Sequence, residues 1–296
     1  MNNSKRKRRQ TILICTMLLC LTVLIVSIYT AATTENYVNG QSAPSSRVNM
    51  PECNNANGTA QTLTFQQLVA LSNDYLLLVN YQHAVPSYIA GELVSIHGHV
   101  WTLDHSILLN SHVLARLQVM FDSAYSAGFT QFRVTQGFRT HETQQYLYNQ
   151  MLGTGLAAPP GHSEHQVGFA VDISYHGVNI GNSVQGTWLM NYSYRYGFIL
   201  RYPAHKTDIT NVPFEPWHYR YVGQPHAYFM TRNDIVLEEY IAYLQDNRII
   251  TVRINGVNFT VQYLSCTNDT ITIPAGYSFM ASRDNTGGVI VTHWRG

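Results

Sequence analysis

An α+β fold is predicted for this chain of 296 residues: a small antiparallel sheet carrying the chemical groups, helices flanking it, and a C-terminal β-rich subdomain. Three observations predict it. Apolar residues recur at helical spacing over 106–127 and 234–247, a run of apolar and small residues occupies Gly168-Phe169-Ala170-Val171-Asp172-Ile173, and the period changes to alternation beyond residue 248.

The chain opens with Lys5, Arg6, Lys7, Arg8 and Arg9, followed over 11–32 by a stretch without charge. That stretch is long enough to cross a hydrocarbon core of about 30 Å as a helix, and the positive-inside rule then keeps the N-terminus in the cytoplasm. Residues 1–34 are therefore expected to be a basic tail and transmembrane anchor, making a single-pass protein of the cell membrane with its catalytic domain extracellular. A cleaved signal peptide ending at Thr30-Ala31-Ala32 is the competing reading. Leu18 and Leu19 are too bulky to favour lipidation at Cys20. Residues 35–62, rich in Asn, Ser, Gly and Thr, read as a juxtamembrane linker.

A catalytic domain is expected over 63–248. Its helix at 106–127 carries Leu108, Val113, Leu117, Met120, Phe121 and Ala124 and stops at Gly128. A strand over 131–135 leads to Arg139, and Thr140 can cap a helix over 141–151 that bears Gln144. Glycine and proline crowd 153–161, as a loop walling a cleft would. Residues 188–196 read as helix, 217–222 as a strand holding His218, and 234–247 as an amphipathic helix through Ile235, Leu237, Tyr240, Ile241 and Leu244. In the C-terminal piece, 249–296, the alternation over 249–260 surrounds Asn255-Gly256, a two-residue hairpin signal. Runs at 270–274 and 288–293 add strands. So small a β piece is not stable alone and should dock on the catalytic body.

Eighteen Lys and Arg less the five of the tail leaves 13 against 17 Asp and Glu, a net of −4 for the exported part. That speaks against a nucleic-acid partner, which needs a basic face. Cys15 and Cys20 lie in the apolar stretch, while Cys53 and Cys266 lie outside it, where a disulfide could persist.

The chemistry concentrates in Gly161-His162-Ser163-Glu164-His165-Gln166-Val167-Gly168-Phe169-Ala170-Val171-Asp172 and in Glu215-Pro216-Trp217-His218. His165, Asp172 and His218 supply two imidazoles and a carboxylate, and Glu215 a spare carboxylate, the inventory of a catalytic zinc site with three protein ligands and one open position. Zinc so held lowers the pKa of a bound water to about 7, and Glu215 would take its proton. Arg139, a permanent cation with a forked donor set, suits a developing oxyanion or a carboxylate. No His-Glu-x-x-His occurs, so the ligands are not set one helical turn apart, and the metal is expected on a sheet. Among the 13 histidines, His97 and His99 read as loop residues, and His162 and His176 as neighbours of the motif rather than ligands.

Two runs carry a resemblance to a known family. Ser163-x-His165-x-x-Gly168-x-Ala170-x-Asp172 and Glu215-Pro216-Trp217-His218-Tyr219-Arg220-Tyr221-Val222-Gly223 resemble the signatures of the VanY-type D-alanyl-D-alanine carboxypeptidases of vancomycin-resistance clusters, relatives of the VanX and VanXY dipeptidases. Gly137-Phe138-Arg139 with Gln144, and Tyr196-Gly197-Phe198-Ile199-Leu200-Arg201-Tyr202-Pro203, follow the same order. The resemblance implies a LAS-type zinc peptidase with His165, Asp172 and His218 as zinc ligands and Glu215 as general base and acid. It further implies Arg139 as stabiliser of the tetrahedral intermediate, with Gln144 and Ser163 lining the substrate site. The implied activity is removal of the terminal D-Ala from peptidoglycan pentapeptide precursors ending in D-Ala-D-Ala, which contributes to glycopeptide resistance. An L,D-carboxypeptidase trimming tetrapeptide stems and a non-catalytic peptidoglycan-binding module are the alternatives. Departures are local: Gln136 stands where Ser is usual, Phe138 and Phe214 where Tyr is usual, and Thr210-Asn211-Val212-Pro213 lacks a frequent Gly.

Overall fold

At the centre of the protein, in a computed structural model that describes residues 53–54, 59–87, 91–152, 157–176 and 179–295, stands a four-stranded antiparallel sheet. Its order is β5 (Phe132–Gln136), β6 (Ala170–Tyr175), β8 (His218–Tyr221), β7 (Phe198–Leu200). Strand β6 has apolar or small residues on both faces because both are covered: Ala170, Val171 and Ile173 are fully buried. The pairing sets Asp172 directly opposite His218 on one side and Gln136 on the other.

Earlier elements form the rest of the catalytic core. A short pair, β3 (Leu93–Ser95) and β4 (Leu108–Asn110), leads into α2 (Ser111–Ser126), after a first short helix α1 (Phe65–Ala70). The 106–127 stretch is therefore strand then helix. Asn110 ends the strand and caps the helix, its side-chain oxygen accepting the amides of His112 and Val113. Helix α2 turns Val113, Leu114, Leu117, Met120 and Ala124 onto the sheet. Thr140 caps α3 (His141–Gln150) through the amide of Thr143. The helix read at 188–196 starts earlier, as α4 (Val184–Tyr192) capped by Ser183, and its last turn, Ser193–Tyr196, is 3-10. After a single turn α5 (Thr207–Thr210), α6 (Gln224–Arg232) follows β8; its Pro225 and mixed polarity hid it from periodicity. Helix α7 (Leu237–Asn247) buries Leu237, Tyr240, Ile241 and Leu244.

The C-terminal strands are β9 (Ile249–Ile254), β10 (Val257–Leu264), β11 (Thr270–Ile273), β12 (Ser278–Arg283) and β13 (Val289–Trp294). Asn255 and Gly256 take φ of 48° and 85° at the β9–β10 turn, the conformation that a two-residue hairpin demands. Two strands come from upstream: β1 (Cys53–Asn54) pairs with β12, and β2 (Gln61–Thr64) with β11. These positions lie in or beside the span read as a linker. Only Leu63 offers an apolar inward residue there, so nothing in the local pattern announces a strand. The β assembly docks along 72–84: Arg283 pairs with the buried Asp74, Ser282 Oγ accepts the amide of Leu76 at 2.8 Å, and Asn285 Nδ2 donates to the carbonyls of Leu78 and Ala84, both at 2.8 Å.

Two expectations are revised. Residues 11–32 lie outside the described residues, and among the described ones no helix is long and apolar enough to cross a membrane. The longest, α2, has 16 residues, about 24 Å at 1.5 Å per residue, against a core of about 30 Å. The single-pass membrane placement and the membrane as a partner are therefore withdrawn. Cys266, considered for a bridge to Cys53, is a free thiol whose Sγ donates to Asp269 Oδ1 at 3.0 Å.

Candidate metal and catalytic site

Three chain segments bring the polar groups together. His165 sits in a buried 3-10 turn (Glu164–Val167) that ends at Gly168 with φ 74°, where a Cβ would also lie 2.8 Å from Leu93 Cδ2. The turn is held from below: Gln166 Oε1 accepts the amides of Gly161 and Ser163. Asp172 and His218 project from the facing positions of β6 and β8.

The imidazole centroids of His165 and His218 are 4.9 Å apart and nearly perpendicular, at 88°. Asp172 Oδ1 lies 3.4 Å from His165 Nε2 and 3.0 Å from His218 Nδ1. One donor atom from each residue falls within 4.8 Å of the others, and this is the one cluster of metal-ligating side chains among the described residues. Two nitrogens and an oxygen, buried and converging, fit zinc. His165 Nδ1 is 2.8 Å from the carbonyl of Gly137, which leaves Nε2 facing Asp172. His97, by contrast, stacks on His105, His176 packs on Tyr175, and His162 Nδ1 lies 2.7 Å from the carbonyl of Asn80.

Glu215 sits on the turn before β8 and directs Oε2 to 3.8 Å from His218 Nδ1. Arg139 reaches the same centre from the other side, with Nη2 3.6 Å from Asp172 Oδ2. It is braced twice, Nε donating to Gln136 Oε1 at 3.1 Å and Nη1 to Gln144 Oε1 at 3.3 Å. Gln144, nearly fully buried, commits one of its two amide N–H groups to the carbonyl of Ala158 at 2.7 Å. Ser163, two residues before His165, is buried.

The electrostatics follow from burial opposed by pairing. Desolvation pushes Asp172 up, but His165 and the hydrogen bonds from both imidazoles hold it well below the usual carboxylate range. Burial pushes His165 down, toward the neutral form that a metal needs. His218 is depressed by burial, yet its bonds to Asp172 and Glu164 carry it up to about 9. Glu215 is raised, by burial first and then against the attraction of His218.

Sequence reasoning passed over Glu164, Arg201, Arg220 and Glu238, which form a buried ionic cluster beneath His218. A signal existed for Arg220: it lies two residues after His218 on a strand, hence on the same face. Tyr202, whose ring is 5.0 Å from that of His218, was visible only as part of the run 196–203 that carries the resemblance.

Comparison with known proteins places these residues in a context. The family described as "VanY: D-alanyl-D-alanine carboxypeptidase" matches residues 106–224, which include all seven candidate site residues. A D-alanyl-D-alanine carboxypeptidase of Enterococcus faecium is 33% identical over 248 residues, covering 81% of this chain and 80% of its own. Among solved structures, the vancomycin-resistance D,D-dipeptidase VanXYg in complex with a D-Ala-D-Ala phosphinate analogue superposes with TM-score 0.68 at 27% identity, covering 80% of this chain and 99% of that one. A D,D-pentapeptidase VanY variant from a VanB-type cassette, in complex with Zn(II), gives TM-score 0.50 at 35% identity over 56% of this chain and 98% of that one.

Proposed function

The chain belongs to the VanY family of zinc-dependent D-alanyl-D-alanine carboxypeptidases, and from that premise we propose how its residues share the work. His165, Asp172 and His218 hold the zinc. Bound there, zinc polarises the scissile carbonyl and lowers the pKa of a water toward 7. Glu215 Oε2 accepts the proton of the attacking water and returns it to the amine of the departing D-Ala, a role suited by a carboxyl raised through burial. Arg139 presents a fixed positive charge to the oxygen on which negative charge develops, and its two glutamine braces keep that charge from swinging away. Ser163 and Gln144 line the place for the free C-terminal carboxylate.

The substrate is a peptidoglycan pentapeptide stem ending in D-Ala-D-Ala, and its loss removes the ending that glycopeptide antibiotics bind. The observation that carries the reading is the convergence of His165 Nε2, Asp172 Oδ1 and His218 Nδ1 with Glu215 Oε2 only 3.8 Å from the last. The test is mass spectrometry of products from defined penta- and tetrapeptide stems. Release of D-Ala from the pentapeptide alone is expected. Release from the tetrapeptide alone would establish the L,D-carboxypeptidase, and no release from either a binding module.

A further inference from the structure

We propose that Glu164 is a positioning residue for the zinc site, one carboxylate oxygen fixing the tautomer and ring orientation of His218 while the other is locked by two buried arginines. Oε2 lies 3.3 Å from His218 Nε2. Oε1 accepts from Arg201 Nε at 2.8 Å and from Arg220 Nη1 at 2.9 Å. Glu164 is 2% exposed and both arginines 0%. Each arginine is itself anchored: Arg201 grips Glu238 with Nη1 at 2.9 Å and Nη2 at 2.6 Å, and Arg220 Nη2 donates to the carbonyls of Tyr75 and Leu77. Two guanidinium groups and two carboxylates balance, so the cluster is buried without net charge.

The donor count then dictates the tautomer. A carboxylate paired with two arginines is an acceptor only, so Nε2 of His218 keeps its proton toward Glu164, and Nδ1, which donates to Asp172 when the metal is absent, is the nitrogen whose proton a metal replaces. His165 is oriented in the opposite sense, its Nδ1 proton directed to the carbonyl of Gly137. A metal-ligating histidine whose far nitrogen donates to a carboxylate is held in tautomer and orientation and is more basic. The inference rests on His218 being a ligand and adds the group that makes it one.

The test compares the full chain with Glu164→Gln, an isosteric change. The amide oxygen would turn to the arginines and its NH2 to His218 Nε2, favouring the Nδ1–H tautomer. Zinc affinity of the metal-free protein, by competition with a chromophoric chelator, should weaken about 10- to 100-fold. Histidine 15N spectra of the two metal-free proteins, recorded under identical conditions at a pH where the ring is neutral, should show Nε2–H for His218 in the wild type and a shift toward Nδ1–H in Glu164→Gln. Unchanged affinity with unchanged tautomer in the variant overturns the proposal, and so does Nδ1–H in the wild type. Should the variant not melt cooperatively, the wild-type spectrum decides alone. Zinc retained at full affinity by His218→Ala would instead sink the underlying ligand assignment.

Discussion

Asp172 and His218 face each other across the β6–β8 pair, Oδ1 to Nδ1 3.0 Å apart, at a position of exact antiparallel register. Backbone hydrogen bonds on adjacent strands therefore set the spacing of two proposed ligands, and His165 is brought over them by a rigid 3-10 turn. The site is built on a buried part of the fold, and the consequences of disturbing it can be stated residue by residue.

Strong chelation should abolish hydrolysis, and readded zinc should restore it, because both carbonyl polarisation and water activation need the metal. His165→Ala and His218→Ala should each lose zinc, measured by elemental analysis after dialysis. Stoichiometric zinc in either variant would remove that residue from the ligand set.

Glu215→Gln should keep zinc and lower kcat by a factor on the order of 100 or more, as for loss of a general base. KM should change little, since Glu215 Oε2 is directed at the His218 side of the centre. Wild-type turnover in this variant would assign the proton transfer elsewhere.

Free and C-terminally amidated pentapeptides should be cleaved very differently, because buried donors left unpaired cost about 1–3 kcal/mol each. Ser163→Ala should raise KM with kcat nearly unchanged. Gln144→Ala should also lower kcat, because its Oε1 is one of the two braces of Arg139. Equal cleavage of both peptides would indicate an endopeptidase.

The metal-free protein should lose stability as pH rises from 7 to 9.5. His218 titrates at about 9 in the fold against about 6.5 unfolded, so its contribution is complete below 6.5 and disappears as pH passes through the folded value. The depressed His165 acts in the opposite sense, but only where the unfolded imidazole protonates, below that window. The expected loss is on the order of 1–3 kcal/mol, read as a falling melting temperature. Zinc should flatten the curve by replacing the proton on His218. A metal-free melting temperature that rises over this range would contradict the assignment.

How much of this was legible in the chain follows from the range of the signals. Residue types with unusual chemistry at short spacing, His165 to Asp172 and Glu215 to His218, stand out along the chain, and the fold brings them together. Helix α7 and the Asn255-Gly256 hairpin declare themselves because period and turn conformation are local. The span of 11–32 showed the limit of local reading, since apolar length alone suggested an anchor that no described helix supports.

What only the tertiary structure decided was which distant groups meet. Residues 53–54 and 61–64 become strands because partners more than 200 positions later supply their hydrogen bonds. Glu164 carried no role in the reading of the chain. Its meaning comes from Arg201 and Arg220, brought in by β7 and β8, which make a buried carboxylate tolerable beneath His218. A buried charge is stable only where its partners converge, and convergence is a property of the folded chain, not of spacing along it.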